Sequence, residues 1–83
     1  MVYLISYNAS QVTIAEAKSI FVKQNDRFAI PFEGALLLKT NDEFNSVLKR
    51  GADFNFEFLI TPTAKSSLDG FTNYWDTIRA SVF

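Results

Sequence analysis

The hydrophobic and polar positions at the start of the chain predict a strand followed by a helix. Residues 2–7 form a mostly apolar and aromatic run that ends in turn-forming residues, which is typical of a buried strand. Ser10 offers a side-chain N-cap for a helix over residues 11–24. The apolar face of this helix repeats at helical spacing and consists of Ile14, Ala17 and Phe21.

A hairpin is predicted in residues 27–40. Its first strand has apolar side chains at alternate positions, namely Phe28, Ile30 and Phe32. An apolar run over residues 35–40 resumes after Glu33-Gly34, and Gly34 suits a tight turn because it tolerates a positive φ. Pro31 has no amide donor, so we expect the first strand at a sheet edge or a bulge.

A second helix is predicted after the hairpin. Thr40 and Glu43 match the capping box, in which each side chain accepts a hydrogen bond from the other residue's amide. The apolar residues that follow at spacings of three and four are Phe44, Val47 and Leu48. Lys49 and Arg50 then lie in the last turn, where the helix dipole favours cations, and Gly51 follows at the usual C′ position.

The remaining residues predict a strand, a loop and a last helix. Over residues 54–61 the pattern alternates, and its apolar positions are Phe54, Phe56, Phe58 and Ile60. Residues 61–70 are mostly polar and predict a loop. A C-terminal helix over about residues 71–82 is indicated by an apolar stripe at helical spacing, which consists of Phe71, Trp75, Ile78 and Val82.

This order of elements predicts an α+β fold, a ferredoxin-like βαββαβ sandwich with an extra C-terminal helix, in a single domain over residues 1–83. In such a fold the first two helices cover one face of the sheet. The side chains that we expect on the other face are too apolar to meet water alone: Tyr3, Tyr7, Leu37 and Leu59. We therefore expect the C-terminal helix or a second copy of the chain to cover them, and we predict a homodimer.

Composition excludes several kinds of site. The chain has no His and no Cys, which rules out zinc sites built on these residues, Cys nucleophiles and Ser-His-Asp triads. With 8 basic and 9 acidic residues, the net charge of −1 provides no general footprint for nucleic acid. No apolar run is long enough to span a membrane and no signal-peptide pattern opens the chain, so we expect a cytoplasmic protein without membrane association.

Short motifs along most of the chain resemble the small CRISPR-associated Cas-two superfamily and its SinR-like and VapD-like branch. The first strand ends at Tyr7-Asn8 and is similar to a family strand that ends in a Tyr-Asp pair. Residues 32–40 look like the family's hairpin and third strand, and residues 40–48 resemble its second helix. Gly70-Phe71 and residues 74–78 are similar to the Gly-Trp and Trp-Asp-Trp-Ile ending of the SinR-like branch.

The resemblance implies a ferredoxin-like homodimer that is either a metal-dependent nuclease or a non-catalytic scaffold for DNA. In the nucleases, the Asp that closes the first strand binds the metal ion. Asn8 stands at this position, and its neutral amide is a poor substitute because Mg²⁺ is held mainly through carboxylates, water and phosphate. We therefore predict no catalytic residue, no metal site and no cofactor, with Mg²⁺ required only under the nuclease alternative.

The candidate interaction residues come from three parts of the sequence: Tyr7, Asn8 and Ser10, then Lys49 and Arg50, and finally Lys65. The first group lies where the resemblance places the family's active centre. The second is a basic pair, which a folded dimer would present twice. The third belongs to a polar loop without a structural explanation, and loops often carry function. The three isolated glycines form no phosphate-binding loop.

The leading prediction is a small dimeric, non-catalytic interaction module that binds a protein or nucleic-acid partner. The alternative is a metal-dependent endoribonuclease or deoxyribonuclease of the same superfamily. A weaker alternative is a mobile-element-encoded inhibitor of a host protein. Dependence on a divalent metal separates the first two, and a tight complex with one host protein distinguishes the third.

Overall fold

The computed structural model describes residues 1–70 and 72–83 and shows a small α+β domain. Its elements are β1 (Val2–Tyr7), α1 (Ile14–Phe21), β2 (Arg27–Phe32), β3 (Ala35–Lys39), α2 (Phe44–Ala52), β4 (Phe58–Thr63) and α3 (Trp75–Val82), with a 3-10 turn at Lys65–Ser67. The four strands form one antiparallel sheet in the order β2-β3-β1-β4. The predicted α+β class is confirmed, and the arrangement is consistent with a ferredoxin-like fold.

β2 and β3 form the predicted hairpin. Phe32 pairs with Ala35, so a turn of two residues joins the strands, and Gly34 in that turn has a φ of 93°. β2 lies at one edge of the sheet, and its register shifts between Ala29 and Phe32. Both features agree with the expectation from Pro31, which cannot donate to a neighbouring strand.

α1 begins later than predicted, at Ile14, and ends at Phe21. Its N-cap is Thr13, whose hydroxyl accepts a hydrogen bond from the Glu16 amide at 3.1 Å, while the Glu16 carboxylate accepts one from the Thr13 amide at 2.9 Å. This is a complete capping box. The prediction that Ser10 caps the helix is therefore wrong, because the helix starts at Ile14 and Thr13 is its N-cap.

The capping box predicted at Thr40 and Glu43 is also wrong. Glu43 is the N-cap of α2 but forms no side-chain capping hydrogen bond with any residue that the structure describes. Thr40 instead belongs to the end of the sheet, since its amide donates to the Met1 carbonyl and its hydroxyl accepts from the Asp42 amide. Gly51, predicted to follow the helix, lies inside α2, which ends at Ala52.

β4 begins and ends later than the alternating pattern predicted, and covers Phe58–Thr63. Phe54 precedes the strand and is 53% exposed, because the chain is still turning away from α2 at this point. Phe56 and Phe58 do reach the core, where their rings pack edge-on against Phe21 with centroid distances of 6.0 and 5.3 Å.

The two faces of the sheet are covered differently. α1 and α2 pack on the first face, around a core that includes Tyr3, Ile5, Tyr7, Phe21, Leu36, Leu38 and Val47. The prediction that Tyr3 and Tyr7 lie on the second face is wrong. Tyr3 pairs with Leu38 in the neighbouring strand, and paired residues share a face, so the odd-numbered residues of β1 point toward the helices.

α3 lies on the second face of the sheet, over β2 and β3. Its Ile78 and Val82 pack in one cluster with Val2, Ala29 and Leu37. The helix is shorter than the predicted range of residues 71–82, and Phe71 lies outside the described residues. None of the described helices is long and apolar enough to cross a membrane.

Candidate interaction surface

The turn after β1 contains two of the predicted candidates, Asn8 and Ser10. Oδ1 of Asn8 accepts hydrogen bonds from the amide and the hydroxyl of Ser10, at 3.0 and 2.6 Å. Nδ2 of Asn8 donates to Oε1 of Glu57 at 2.9 Å. The first pair of bonds is an Asx-turn, a common use of Asn where the chain changes direction. Asn8 therefore fixes the turn and joins it to the segment before β4.

This arrangement does not fit a magnesium ion at Asn8. The Asn8 carbonyl oxygen already accepts two hydrogen bonds, and the carboxylate beside it, Glu57, is engaged by the Asn8 amide. Mg²⁺ requires oxygen ligands that are free to complete an octahedron, usually with carboxylates among them. Within residues 1–70 and 72–83, no group of three or more His, Cys, Asp or Glu side chains could hold a metal ion.

Tyr7, the third candidate near this turn, is an interior residue. It is only 7% exposed and packs in the core between the sheet and the first two helices. Its hydroxyl is buried without a hydrogen-bond partner among the described residues. A hydroxyl in this position cannot reach a phosphate group at the surface, so Tyr7 serves packing.

An open depression of ≈ 600 Å³ lies where β1 ends and β4 begins. It is lined by Ser6, Tyr7, Asn8, Phe56, Glu57, Phe58 and Leu59. Leu59 is 78% exposed, more than any other large apolar side chain in the described part of the chain. It pairs with the exposed Ser6 of β1 on the second face of the sheet, in the half that α3 does not cover.

Arg50 is not the surface cation that the sequence predicted, since it is only 8% exposed. Its Nη1 donates to Oδ2 of Asp26 at 2.7 Å and also to the Phe21 carbonyl, while Nη2 donates to Oδ2 of Asp42 at 2.7 Å. The guanidinium therefore joins α2 to the segment after α1 and to the segment before α2. Its role is structural, and a partner cannot approach it.

The charges in this buried network stabilise one another. Burial alone would raise the pKa of Asp26, but hydrogen bonds from the Lys23 amide, the Thr40 hydroxyl and the Arg50 guanidinium outweigh it, so the pKa lies below its usual value. Burial alone would lower the pKa of Arg50, but its bonds to Asp42 and Asp26 raise it. Opposite charges at contact distance favour the ionised form of each partner.

Lys49 and Lys65 are exposed but lie apart from the turn after β1. Lys49 borders a shallow depression between α1 and α2 together with Lys23 and Asp53. Lys65 follows the end of β4, whereas Tyr7 pairs with the first residue of that strand. The structure thus brings Tyr7, Asn8 and Ser10 together at one end of the sheet and leaves the basic candidates elsewhere.

Two residues of this region were missed as candidates. Leu59 was expected on the second face of the sheet but was not among the candidate interaction residues, although it is the apolar one among the alternating positions Asn55, Glu57, Leu59 and Thr61. Glu57 bonds to Asn8 because β4 lies beside β1 in the sheet. The ferredoxin-like strand order predicts that neighbourhood, but no local pattern identifies the hydrogen bond.

Comparisons with known proteins give no relative for this chain. No protein-family model matches it, and no curated protein and no solved structure matches it. The resemblance to the Cas-two superfamily therefore stays a prediction from short motifs. The candidate surface rests on the described residues alone. Its main features are Asn8, whose side-chain amide is fully engaged in hydrogen bonds, and the exposed Leu59.

Proposed function

We propose that the protein is a small dimeric, non-catalytic interaction module built as a ferredoxin-like βαββαβ sandwich with an extra C-terminal helix. The observation that carries this proposal is Leu59, which is 78% exposed on the half of the sheet that α3 leaves uncovered. An apolar side chain held on a rigid sheet beside an open depression is suited to contact with another protein surface.

Further apolar surface lies in the same row of the sheet. The strand pairings place Phe32, Ala35, Ser6 and Leu59 side by side across all four strands. Phe32, at the far end of this row, is 60% exposed. The row is therefore apolar at both of its ends, and the exposed Ser6 lies between them. A surface of this kind supports contact with protein rather than nucleic acid.

The charges of the chain support the same choice. The net charge is −1, and the basic candidate Arg50 forms ion pairs with Asp26 and Asp42 of its own domain. Lys49 and Lys65, the two exposed basic candidates, lie in separate depressions. A nucleic-acid surface usually groups its basic side chains along one face, so a protein partner is the better supported proposal.

The non-catalytic part of the proposal is supported by Asn8. The residue at the position of the family's catalytic Asp has both ends of its amide group engaged in hydrogen bonds that fix the chain. The relationship to the Cas-two superfamily and to its SinR-like branch is part of this proposal. The nuclease alternative rests on that relationship alone.

Sedimentation velocity over micromolar to sub-millimolar protein concentrations tests the dimer. We expect the wild type to dimerise reversibly and Leu59→Lys to remain monomeric. Leu48→Lys is a matched control, because Leu48 is also an exposed leucine but lies on α2, on the opposite side of the sheet. Circular dichroism confirms that both variants fold. A wild type that stays monomeric throughout would contradict the dimer.

A nuclease assay tests the non-catalytic part. Labelled RNA and duplex DNA are incubated with the protein and Mg²⁺, Mn²⁺ or EDTA. We expect no cleavage under any condition. Cleavage that requires metal and disappears in Asn8→Ala would establish the nuclease alternative and refute the proposal.

A further inference from the structure

The two edges of the sheet differ in how well they are protected. β2 begins with Arg27, contains Pro31, and changes register between Ala29 and Phe32. α3 packs against it, and Arg27 donates a 2.7 Å hydrogen bond to the Ala80 carbonyl at the end of that helix. Charges, prolines and bulges are the usual means by which proteins prevent an edge strand from pairing with another chain.

β4 is the other edge and lacks most of this protection. Its six residues, Phe58–Thr63, include no charged side chain, and Pro62 is the only proline. No further strand pairs with it among the described residues. An uncharged edge strand of this length can accept a second strand through its free backbone groups.

The hydrogen bonds of β1 show which backbone groups of β4 are free. The Tyr7 amide donates to the Gly34 carbonyl, so the odd-numbered residues of β1 bond to β3, and the Asn8 amide donates to the Glu57 carbonyl, so the even-numbered ones bond to β4. Hydrogen-bonded and non-hydrogen-bonded pairs alternate in an antiparallel ladder. The residues of β4 whose backbone groups point to the open edge are therefore Phe58, Ile60 and Pro62.

We propose that two copies of the chain pair through β4 in antiparallel orientation, with the two-fold axis at Leu59. This inference deepens the proposed dimer and rests on it. In this register Phe58 of each copy exchanges hydrogen bonds with Ile60 of the second copy. Both outward-pointing amides of β4 therefore find an acceptor, since the third outward residue, Pro62, has no N–H to pair. The two sheets then form one continuous sheet.

The side chains of β4 favour this register. Leu59 faces Leu59 of the second copy in a non-hydrogen-bonded pair, the arrangement in which opposite side chains lie closest. The most exposed large apolar side chain of the described residues is thereby packed against its own symmetry mate. Placing the axis at Ile60 would instead set Leu59 opposite Thr61 of the second copy, so the contact between the two leucines would be lost.

The pairing brings no like charges together. Glu57 precedes β4 and lies opposite Thr61 of the second copy in this register, so the two Glu57 residues are about 13 Å apart along the strands at 3.3 Å per residue. The contact is narrow, since it involves one strand from each copy, so we expect a weak dimer that dissociates on dilution.

Single-cysteine crosslinking tests the register, because the chain has no Cys of its own. Across a non-hydrogen-bonded pair the Cα atoms are about 4.5 Å apart, and a disulfide needs a separation of about 4.4–6.8 Å. We expect mild oxidation to convert Leu59→Cys to a covalent dimer. Thr61→Cys is the matched control, since its two copies would lie about 13 Å apart along the strands at 3.3 Å per residue, and it should remain uncrosslinked.

Amide hydrogen exchange of the wild type provides a second readout that needs no substitution. Edge pairing predicts that exchange at Phe58 and Ile60 slows as protein concentration rises, while the Thr63 amide, which points toward β1, is unaffected. Slowed exchange together with the Leu59→Cys crosslink establishes the proposal. Crosslinking of Thr61→Cys in preference to Leu59→Cys would overturn the register.

Failure of this inference can be told from failure of the proposed function. A concentration-dependent dimer without slower exchange at Phe58 and Ile60 would overturn edge pairing and leave a dimer formed through the face of the sheet. A wild type that is monomeric at all concentrations would overturn both. Protection of these amides only when another protein is present would also overturn it, and would assign the edge to a different partner.

Discussion

Arg50 and Asp26 form a 2.7 Å ion pair in the interior of the domain, where the side chains are 2% and 8% exposed. They are 24 positions apart in the sequence. Because Arg50 lies on α2 and Asp26 follows α1, the pair links α2 to the segment at the end of α1 on the first face of the sheet. A second carboxylate, Asp42, completes the fork of the guanidinium at 2.7 Å but is about half exposed.

Removing the guanidinium should strongly destabilise the domain. Arg50→Met leaves Asp26 buried without its counter-charge, and breaking a buried pair from one side costs about 3–5 kcal/mol. Urea denaturation followed by circular dichroism measures this loss. Lys49→Ala, the exposed neighbour on the same helix, should change the free energy of unfolding by about 0.5 kcal/mol or less. Equal effects of the two substitutions would show that the buried pair contributes little.

Stability should fall in acid because of Asp26. Its pKa in the folded protein lies below the ordinary value of 3.8, so at intermediate pH the unfolded chain binds more protons than the folded one. The contribution of Asp26 is therefore fully present above that ordinary value and is lost as the pH falls through the folded pKa. Urea denaturation at a series of acidic pH values should show this decline.

A direct titration assigns the acid effect to its residue. Carboxyl-carbon NMR of the wild type should give a midpoint below 3.8 for Asp26. Asp76→Asn serves as the control for the denaturation series, because Asp76 is fully exposed, its partner Arg79 is half exposed, and surface ion pairs contribute little. A midpoint for Asp26 at or above its ordinary value would contradict the explanation.

The elements that depend on local pattern were predicted well from the sequence. The range of β1 is the one that the apolar run indicated, and the hairpin turn at Gly34 follows from a two-residue gap between two strands. Both signals depend on neighbouring residues only. The same holds for the apolar stripe of α3, in which Ile78 and Val82 are buried as helical spacing indicated.

The helix starts could not be predicted as reliably, because the chain contains two matching patterns. Thr13 with Glu16 and Thr40 with Glu43 both have the spacing of a capping box. Only the first pair forms one, since Thr40 is held at the end of the sheet by the Met1 carbonyl. That contact links distant parts of the chain, and spacing within one segment does not reveal it.

In the candidate site, too, local features were predicted from the sequence and features set by distant contacts were not. Asn8 and Ser10 were identified as a turn and as a site, and the turn is what the structure shows. The position of Arg50 was judged from the helix dipole, whereas its burial is determined by Asp26 and Asp42. The exposure of Leu59 follows from where α3 lies, and nothing in the strand itself determines that.

Gly51 should not tolerate a side chain although it lies inside a helix. A Cβ atom at this position would come within 2.6 Å of Cζ of Phe21 and 2.8 Å of Cε1 of Phe58. Alanine is the better helix former by about 1 kcal/mol, but overpacking a core typically costs about 1–3 kcal/mol. We therefore expect Gly51→Ala to lower the free energy of unfolding or leave it nearly unchanged, against the trend of helix propensity.

The control for this prediction is Ser46→Ala in the same helix. Ser46 is exposed, so its substitution should follow helix propensity and raise stability by a few tenths of a kcal/mol. Thermal and urea denaturation of both variants check the contrast. A Gly51→Ala variant more stable than Ser46→Ala would mean that the Phe21 ring moves aside freely.

Replacing Tyr3 and replacing Tyr7 by Phe should have opposite effects on the free energy of unfolding. Both are buried on the first face of the sheet, but the Tyr3 hydroxyl donates to the Asp42 carbonyl at 3.0 Å, whereas the Tyr7 hydroxyl has no partner among the described residues. Tyr3→Phe removes a hydrogen bond and should cost about 0.5–1.5 kcal/mol. Tyr7→Phe removes a buried polar group that is unpaired, so it should be neutral or stabilising. Urea denaturation of the two variants measures the difference, and a larger loss for Tyr7→Phe than for Tyr3→Phe would show that the Tyr7 hydroxyl is bonded in solution.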